Sequence, residues 1–495
     1  MKTRLKISTA LILVLMFLLL SLASGLLAAC GGGKAASAPK DAGQSGTGTE
    51  RETETTISDN LPERDFGGYA FRLYLQENMY KDMYTDEETG DLLEDAVYYR
   101  NRTVEERFGV KIEPVLYPTD FAPVGENNIL AGDDAFDIML CHQRVAFMYV
   151  NKKLVVDFAE YLPYVDLEAP WWNQDANLEC SVFNKIFCTG GDITYLVLGN
   201  TFCMLFNKTL FTAYNIEYPY ESVTKGTWTM DKCFDIVKGG LLDLNGDAAI
   251  TPEDDQYGFE MGNEWGYPTA VFYGGGDKVV KKGGDGTPVI AVYNERTADI
   301  FNKFFDMMAG GAGVVDGVAN RGNPKGAPIF KNGRALFADS TMNGVISMRD
   351  MEDDIGVLPL PKYSESQKGY KALVEAHGRM VSVPITAGDC ERTSIITEAL
   401  CAESYKQIIP VYFETALKTK YARDDESAEM FDYIKSSGVF DYGYMNYTLT
   451  EPLASVGASM VRMAQPNLAS FYEKNAAKAQ GNIDKLIAQY EAGEW

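Results

Sequence analysis

The chain has 495 residues, of which 70 are acidic and 45 are basic, so its formal net charge is -25. A surface of that sign repels nucleic acid and anionic lipid headgroups, which argues against nucleic-acid binding as a function. Hydrophobic residues make up 46% of the chain. The roughly 430 residues that follow the N-terminal segment are therefore enough for two large lobes with their own cores.

The first residues have the order typical of a secretory signal peptide. A positively charged start and an apolar run over 7–22 precede small residues that end in Leu-Ala-Ala-Cys at Cys30. This ending resembles a bacterial lipobox, which implies that residues 1–29 are removed and that an acyl chain on Cys30 anchors the protein to the cell membrane. An uncleaved transmembrane helix is the alternative, because the apolar run is nearly long enough to span a bilayer. Both interpretations place the rest of the chain outside the cytoplasm.

Residues 30–64 consist mainly of Gly, Ala, Ser, Thr, Lys and Glu, with almost no apolar side chains. Such a segment buries too little surface to fold. We therefore predict a disordered tether that holds a globular domain away from the membrane. Beyond it, no segment is long and apolar enough to cross a bilayer.

Strands and helices alternate along the next part of the chain. The segment 69–75 alternates and is rich in aromatic residues, which predicts a strand, and 95–108 has apolar residues at helical spacing. The segments 110–116 and 136–140 are further predicted strands, with a helix between them that ends at Gly132. This order predicts a doubly wound α/β lobe with a largely parallel sheet.

The second half of the chain is again predicted to mix strands and helices. Apolar runs at 192–198 and 202–206 predict two strands, and Thr229 is the predicted cap of a helix that ends at Lys238. A short helical turn is predicted at 330–337, and a strand ended by prolines at 355–361. The last hundred or so residues are predicted to be mostly helical.

These segments, taken in order, resemble the extracellular solute-binding proteins (family 1) of carbohydrate ABC transporters, the group that includes maltose-binding protein. The matching segments are FDIML (136–140), ITYLVLGNTFCMLFNKTLF (193–211), GTWTMDKC (226–233), DQYGF (255–259), FKNGRALFADSTMNG (330–344) and DIGVLPLPK (354–362).

The resemblance implies a type II, periplasmic-binding-protein-like α/β fold, in which two lobes are joined by a hinge that the chain crosses several times. The first lobe would hold 65–200 and 355–408, and the second 201–354 and the helical 409–495. A ligand would bind in the cleft, because ligands of open α/β sheets lie beyond the carboxyl ends of the strands. The implied partners are a carbohydrate and the permease subunits of an ABC transporter.

Candidate ligand contacts follow the predicted strand 136–140. His142, Gln143 and Arg144 lie where relatives place side chains that bind ligand hydroxyls, and planar amide and guanidinium groups suit that task. The alternative is the solvated start of a loop. Asn200 lies between two apolar runs at the inferred lobe crossover, where an unused polar residue is costly.

A second group of candidates follows from loops at corresponding positions of the family. Glu264, Trp265 and Tyr267 lie where relatives present acids and aromatic rings to a sugar, although a core tryptophan is the alternative. Thr341 and Asn343 correspond to another cleft segment of the family, and His377 to a loop of the first lobe. The adjacent Trp171 and Trp172 are predicted to anchor a loop on a lobe instead.

An acidic loop at 243–254 has the spacing of an EF-hand-like calcium site. Its position six is Ala248, where glycine is expected, and its position twelve is Asp rather than Glu. A polar turn without metal is the alternative. The predicted ligands of one structural calcium ion are Asp243, Asn245, Asp247, Ala249 (by its carbonyl), Thr251 and Asp254.

The remaining motifs do not indicate an enzyme. There is no Walker A sequence, no GxSxG and no HExxH, and the seven cysteines after Cys30 have no metal-site spacing and are expected to be small core residues. Two histidines are too few to predict a zinc site without carboxylates placed beside them. A substrate-binding lipoprotein is the favoured interpretation. The alternatives are a lipid-anchored glycan-processing enzyme and a polysaccharide-binding adhesin.

Overall fold

The computed structural model describes residues 57–118, 124–348, 350–413 and 425–494. The strands are β1 Tyr69–Gln76, β2 Val110–Tyr117, β3 Ile138–Cys141, β4 Phe202–Asn207, β5 Tyr257–Met261, β6 Val280–Lys282, β7 Pro288–Ile290, β8 Gly313–Asp316, β9 Gly322–Asn323, β10 Ala335–Thr341, β11 Ile355–Leu358, β12 Ala372–Leu373, β13 Met380–Ser382 and β14 Gly438–Val439.

The α-helices surround these strands, and the chain after β13 is mostly helical, as predicted. They are Leu92–Phe108, Val124–Ala131, Gln143–Asn151, Phe158–Tyr161, Gln174–Cys180, Leu196–Gly199, Lys208–Ala213, Tyr220–Thr224, Met230–Lys238, Tyr267–Gly274, Glu295–Met308, Met342–Ile346, Cys390–Pro410, Asp425–Ser437, Tyr442–Met445, Tyr447–Thr450, Val456–Arg462 and Leu468–Glu491.

The first sheet has the strand order β13-β3-β1-β2. β1 is parallel to β2 and to β3, whereas β13 is antiparallel to β3. The helix Leu92–Phe108 connects β1 to β2; Asp91 caps its start and Gly109, at φ 59°, ends it in the left-handed conformation that favours glycine. The doubly wound α/β prediction for this lobe is therefore confirmed.

The second sheet has the strand order β11-β4-β10-β5-β8-β9. β10, β5, β8 and β9 run parallel, and β4 is antiparallel to both β10 and β11. The segment 192–198, predicted as a strand, instead ends in the short helix Leu196–Gly199. The Thr194 hydroxyl accepts a hydrogen bond from the Leu196 N–H at 3.1 Å, a local bond that favours a turn over a strand.

Two chain crossings between the sheets lie side by side. Thr201 forms a β-bridge with Val374, and the Glu375 N–H donates to the Asn200 carbonyl at 2.8 Å. β11 belongs to the second sheet, so the predicted return to the first lobe at residue 355 is wrong, and the return falls at 374–375. A short apolar strand fits either sheet, so its sequence does not specify its partner.

The C-terminal helices contact both lobes. Asn446 exchanges side-chain hydrogen bonds with Asn151 of the first lobe, and Tyr472 stacks on Tyr293 of the second with ring centres 4.7 Å apart. The helix Val456–Arg462 approaches the second lobe closely, since a Cβ on Gly457 would lie 2.0 Å from the Pro268 carbonyl oxygen. The assignment of all of 409–495 to the second lobe is therefore too simple.

The predicted loop anchor at Trp171 and Trp172 is present. Both side chains are buried, and their indole N–H groups donate to the two carboxylate oxygens of Glu398 at 2.8 and 2.9 Å. Six of the seven cysteines that follow Cys30 are also buried, as expected for small core residues.

The domain begins before the predicted end of the tether. Arg107 donates to Asp59 at 2.9 Å, and Leu61 packs against the core of the first lobe, so residues 59–64 of the predicted tether are held on the domain, and its residues up to 56 lie outside the described part. The predicted signal peptide 1–29 and the acylated Cys30 lie outside the described residues. Among the residues that are described, no helix combines the length and apolar character that a membrane span needs.

Candidate ligand site

The carboxyl ends of β3 and β5 meet at the side chain of Arg144. Its guanidinium carbon lies 4.7 Å from the ring centre of Trp265, which follows β5. It also lies 4.9 Å from the ring of Tyr444 and 4.5 Å from that of Tyr447. Such distances give attractive cation–π contacts. Arg144, Trp265, Tyr444 and Tyr447 form what we call the aromatic cage, and it joins both sheets and the C-terminal helices.

The start of the helix Gln143–Asn151 fixes Arg144 in this place. His142 is its N-cap, and the Nδ1 of His142 accepts a hydrogen bond from the Arg144 N–H at 3.3 Å. Gln143 is fully buried, and its amide nitrogen donates to the carbonyls of Val374, Glu375 and Gly378. Gln143 thus positions the neighbouring crossover segment and is fully buried in this structure, and its role towards a ligand stays a prediction.

The two histidines of the sequence lie together beside the cage. The rings of His142 and His377 are 4.7 Å apart and perpendicular, and His377 Nδ1 lies 2.7 Å from Glu375 Oε2. Burial by itself raises the pKa of Glu375, but the hydrogen bonds and charge of His377, together with His142, lower it to about 2. Glu375 is therefore ionised. We call His142, Glu375 and His377 the histidine cluster.

The loop that carries Glu264 and Trp265 is held by one carboxylate. Asp339 on β10 accepts the Gly262 N–H at 2.6 Å and the Tyr267 N–H at 2.7 Å, which closes both ends of the loop. Within it, Glu264 forms an ion pair with Arg462. Sequence reasoning missed Asp339. Its only signal was a charged residue among the apolar residues of a strand, where an unpaired charge is costly.

The other predicted contacts serve the fold in this structure. Tyr267 is fully buried and packs on Phe259 with ring centres 4.7 Å apart, and its role towards a ligand stays a prediction. Three more lie at the hinge: Thr341 caps the helix Met342–Ile346, Asn343 accepts from the Tyr412 hydroxyl at 2.8 Å, and Asn200 donates to the Leu196 carbonyl at 2.9 Å. Their role towards a ligand stays a prediction.

The acidic loop folds around its own carboxylates. Asp243 accepts the N–H groups of Gly246 and Ala248 at 2.6 and 2.9 Å. Asn245 donates to Asp254 at 2.8 Å, which joins the two ends of the loop. Ala248 has φ 63°, the left-handed conformation for which glycine was expected. The loop thus has a turn of the predicted kind, and calcium binding stays a prediction.

A cavity of about 360 Å³ lies behind the cage. Tyr273, which lines it, donates to Asp441 at 3.1 Å, and its ring centre is 6.1 Å from that of Tyr444. The wall of the cavity also carries four basic residues: Lys278, Arg296, Lys368 and Lys371. None of the predicted ligand contacts lines this cavity.

At the level of sequence, no family model matches the chain and no curated protein matches it. Solved structures do match it. A cyclic alpha-maltosyl-1,6-maltose binding protein from Arthrobacter globiformis is 13% identical, with a TM-score of 0.59 over 85% of this chain and 100% of that chain.

Two further matches also cover 85% of this chain. An ABC substrate-binding protein from Listeria monocytogenes in complex with cycloalternan is 13% identical, with a TM-score of 0.54 over 85% of this chain and 99% of that one. UgpB from Mycobacterium tuberculosis in complex with glycerophosphocholine gives the same identity, TM-score and coverage. The fold prediction is confirmed: the chain has the two-lobe α/β fold of ABC substrate-binding proteins.

Proposed function

We propose that this chain is the substrate-binding protein of an ABC importer, which captures a carbohydrate between its lobes and delivers it to the permease. The observation that carries the proposal is the aromatic cage where the two sheets meet. Apolar faces of sugar rings stack on Trp and Tyr, while Arg and Glu side chains bind hydroxyl groups. The cage, with Glu264 and Arg462 beside it, supplies both kinds of contact.

In this proposal, capture proceeds by opening and closure of the two lobes. Opening at 200–201 and 374–375 separates Arg144 on the first lobe from Trp265 on the second. A sugar ring then takes the place of the guanidinium against Trp265, and Arg144 turns to the sugar's hydroxyls. Closure around the ligand buries it and gives the permease a distinct conformation to recognise.

The location and the lobes are part of the same proposal. The protein works outside the cytoplasm, held at the membrane by an acyl chain on Cys30, and catalyses no reaction. The first lobe comprises 59–200 and 375–408, and the second comprises 201–374, with the C-terminal helices bridging the two. The pairing of Thr201 with Val374 supports this division.

We also propose that the acidic loop binds one calcium ion with a structural role. The ligands are the oxygen atoms of Asp243, Asn245, Asp247, Ala249, Thr251 and Asp254. The alternating acids and the left-handed turn at Ala248 support the proposal. The ion would hold the loop that leads into β5, and thereby the start of the Trp265 segment.

A ligand screen tests the transport proposal. The full chain, purified in detergent, is heated with linear and cyclic malto-oligosaccharides, other oligosaccharides, glycerophosphodiesters, amino acids and peptides. A ligand that binds the native state raises the melting temperature. We expect a shift with one class of oligosaccharide. Shifts with amino acids or peptides alone would refute the carbohydrate assignment, and conversion of the sugar, seen by mass spectrometry, would refute the binding-protein assignment.

Paired variants place the site. Trp265→Ala removes one stacking face of the cage, and we expect it to abolish the shift. The matched control is Tyr293→Ala, which removes a half-exposed ring stacked on Tyr472 away from the cage. If Tyr293→Ala abolishes the shift and Trp265→Ala does not, the cage is not the ligand site.

A further inference from the structure

The histidine cluster has the composition of a transition-metal site. Donor atoms of His142, Glu375 and His377 all lie within 4.8 Å of one another, and in the described part of the chain no other group of three His, Cys, Asp or Glu residues does so. Two imidazoles and one carboxylate form a three-ligand set that zinc accepts in sites that keep a fourth position open.

The fold places the three side chains independently of any metal. His142 is fixed at the end of β3 as the cap of the following helix. Glu375 and His377 are fixed by the hinge, where the Glu375 N–H donates to Asn200 and the Gly378 N–H donates to the Glu375 carbonyl, both at 2.8 Å. Preorganised ligands lose little conformational entropy when an ion binds.

The chemistry of the donors fits a borderline-soft divalent cation. The short contact between His377 Nδ1 and Glu375 Oε2 is bridged by one proton, which a metal ion would replace. Donors about 2 Å from one ion lie roughly 3 to 4 Å apart. The donor atoms of the cluster lie within 4.8 Å of one another, so an ion would draw them together, and the capping bond of His142, which is long at 3.3 Å, is weak enough to be given up at little cost.

The histidine cluster is partly exposed and lies beside the aromatic cage. The His377 side chain is 41% exposed, whereas Glu375 and His142 are mostly covered. The Tyr444 hydroxyl lies 3.5 Å from Glu375 Oε1, and the same ring faces Arg144 in the aromatic cage. An ion held here therefore has an open coordination position next to the cage.

We propose that His142, Glu375 and His377 bind one zinc-class divalent ion in the interlobe cleft, with a fourth position open to an oxygen atom of a cleft ligand. Binding of the ion itself does not depend on the proposed transport function. The proposed binding of a cleft ligand at the fourth coordination position does depend on that function. The two parts are therefore tested separately.

The first test uses metal alone on the full chain, purified in detergent without a polyhistidine tag. Zn²⁺ affinity is measured by competition with a chromophoric chelator, and Co²⁺ is added as a spectroscopic substitute. We expect one equivalent to bind, with ligand-field bands of nitrogen and oxygen coordination and without the charge-transfer bands of thiolate coordination. No binding above the detection limit of the chelator, or thiolate bands, would overturn the proposal.

Three single variants assign the ligands. His377→Gln changes a partly exposed side chain, Glu375→Gln keeps the shape of the carboxylate, and His142→Asn keeps a good N-cap. Each should weaken Zn²⁺ binding by about 100-fold or more, since loss even of groups that only support metal ligands costs 10- to 100-fold. Near-UV circular dichroism checks that each variant is folded. Unchanged affinity in folded His377→Gln would overturn the proposal.

Two control variants remove the other candidate ligands. Asp243→Asn alters the acidic loop, and Cys390→Ser removes the one cysteine after Cys30 that is not buried. Both should bind Zn²⁺ as the unmodified chain does. Loss of binding in either would place the metal outside the cleft and overturn the assignment.

The ligand screen described above, repeated with and without Zn²⁺, tests the open coordination position. A sugar-induced shift of the melting temperature that is the same in both conditions refutes the proposed role of that position and leaves the metal site itself standing.

Discussion

The acidic loop and the histidine cluster both gather metal-type donors, but they do so in opposite ways. The loop takes all its oxygen atoms from twelve consecutive residues on an exposed turn. The histidine cluster joins the end of β3 to a hinge segment more than two hundred residues later in the chain. The first is a property of local sequence, and the second exists only when the lobes are folded. Perturbing the fold should therefore affect the cluster and leave the loop unchanged.

Titration of buried carboxyl groups gives the largest expected effect on the folded framework. Burial raises the pKa of Glu398 to about 7, and those of Asp339 and Asp441 to about 6. Between pH 4.5 and pH 7 the native state therefore holds protons that the unfolded chain releases. The free energy of unfolding should fall by several kcal/mol as pH rises through this range.

Denaturant unfolding at fixed ionic strength across this range measures the effect. Glu398→Gln cannot titrate and should flatten part of the slope. Asp255, which follows the acidic loop, does not contribute to this fall, since its pKa is lowered by the N–H groups of Thr251 and Leu244. Glu375 affects stability in the opposite direction to the buried carboxyls. Because its pKa in the native state is lowered to about 2, its ionised form stabilises the fold above pH 4.5, and this stabilisation is lost only as the pH falls below 4.5. Stability that rises from pH 4.5 to pH 7 would contradict the assignment.

The second largest effect on stability is expected from loss of the buried hydrogen bonds that Gln143 donates beneath the histidine cluster. Gln143→Met keeps the length of the side chain but leaves the carbonyls of Val374, Glu375 and Gly378 without their shared donor. We expect a loss of about 3 kcal/mol in the free energy of unfolding, because buried acceptors lose their partner. Metal binding at the cluster should weaken as well, whereas calcium binding by the acidic loop should not.

The control for this variant is Gln174→Met. Gln174 is exposed, although its amide also donates to two carbonyls, those of Leu167 and Trp172. Its loss should cost less than about 0.5 kcal/mol because water replaces the lost donor. Equal losses in the two variants would show that burial does not decide the cost.

The same contrast explains what the sequence could predict. Alternation and helical spacing predicted β1, β2 and the helix between them, because those signals lie within one element. Arg144 was predicted from its position after a strand, and Trp265 from a loop at the corresponding position of the family. The partners Tyr444, Tyr447 and Asp339 were missed, because no local pattern shows that a C-terminal helix or a neighbouring strand reaches the same edge.

The partner sheet of β11 was missed for a related reason. Its residues are apolar on both faces, which fits either sheet, and only the pairing of Val357 with Leu205 decides. Tyr267 and Gln143 were predicted as ligand contacts because their residue types suit a sugar. Residue type does not report burial, and both prove to be buried.

A smaller effect is expected where one carboxylate holds the Trp265 loop. In Asp339 each carboxylate oxygen accepts one of the two N–H groups, those of Gly262 and Tyr267. Asp339→Asn keeps an acceptor for one of these N–H groups and places an amide N–H₂, itself a donor, against the other. We expect a loss of about 2 kcal/mol in the free energy of unfolding. The loop should also become less ordered, so ligand affinity falls although the ring of Trp265 is intact. Unchanged affinity with unchanged stability would show that the loop does not need this anchor.

The smallest effect is expected from the acidic loop. With Asp in place of Glu at position twelve, calcium affinity should be near the weak, extracellular end of the range for such loops, with a dissociation constant of about 10⁻⁴ M. At about 1 mM free calcium, binding then stabilises the native state by about 1 kcal/mol. A calcium chelator should lower the melting temperature slightly in the unmodified chain and not in Asp247→Asn. The variant's own stability without calcium should change little, because Asn keeps the oxygen that accepts the Ala249 N–H at 2.8 Å, and the bond that Asn245 donates to the other oxygen at 3.2 Å is exposed, so water replaces it. A chelator effect of equal size in Asp247→Asn would place the calcium outside the loop, and the loop would then be a polar turn that needs no metal.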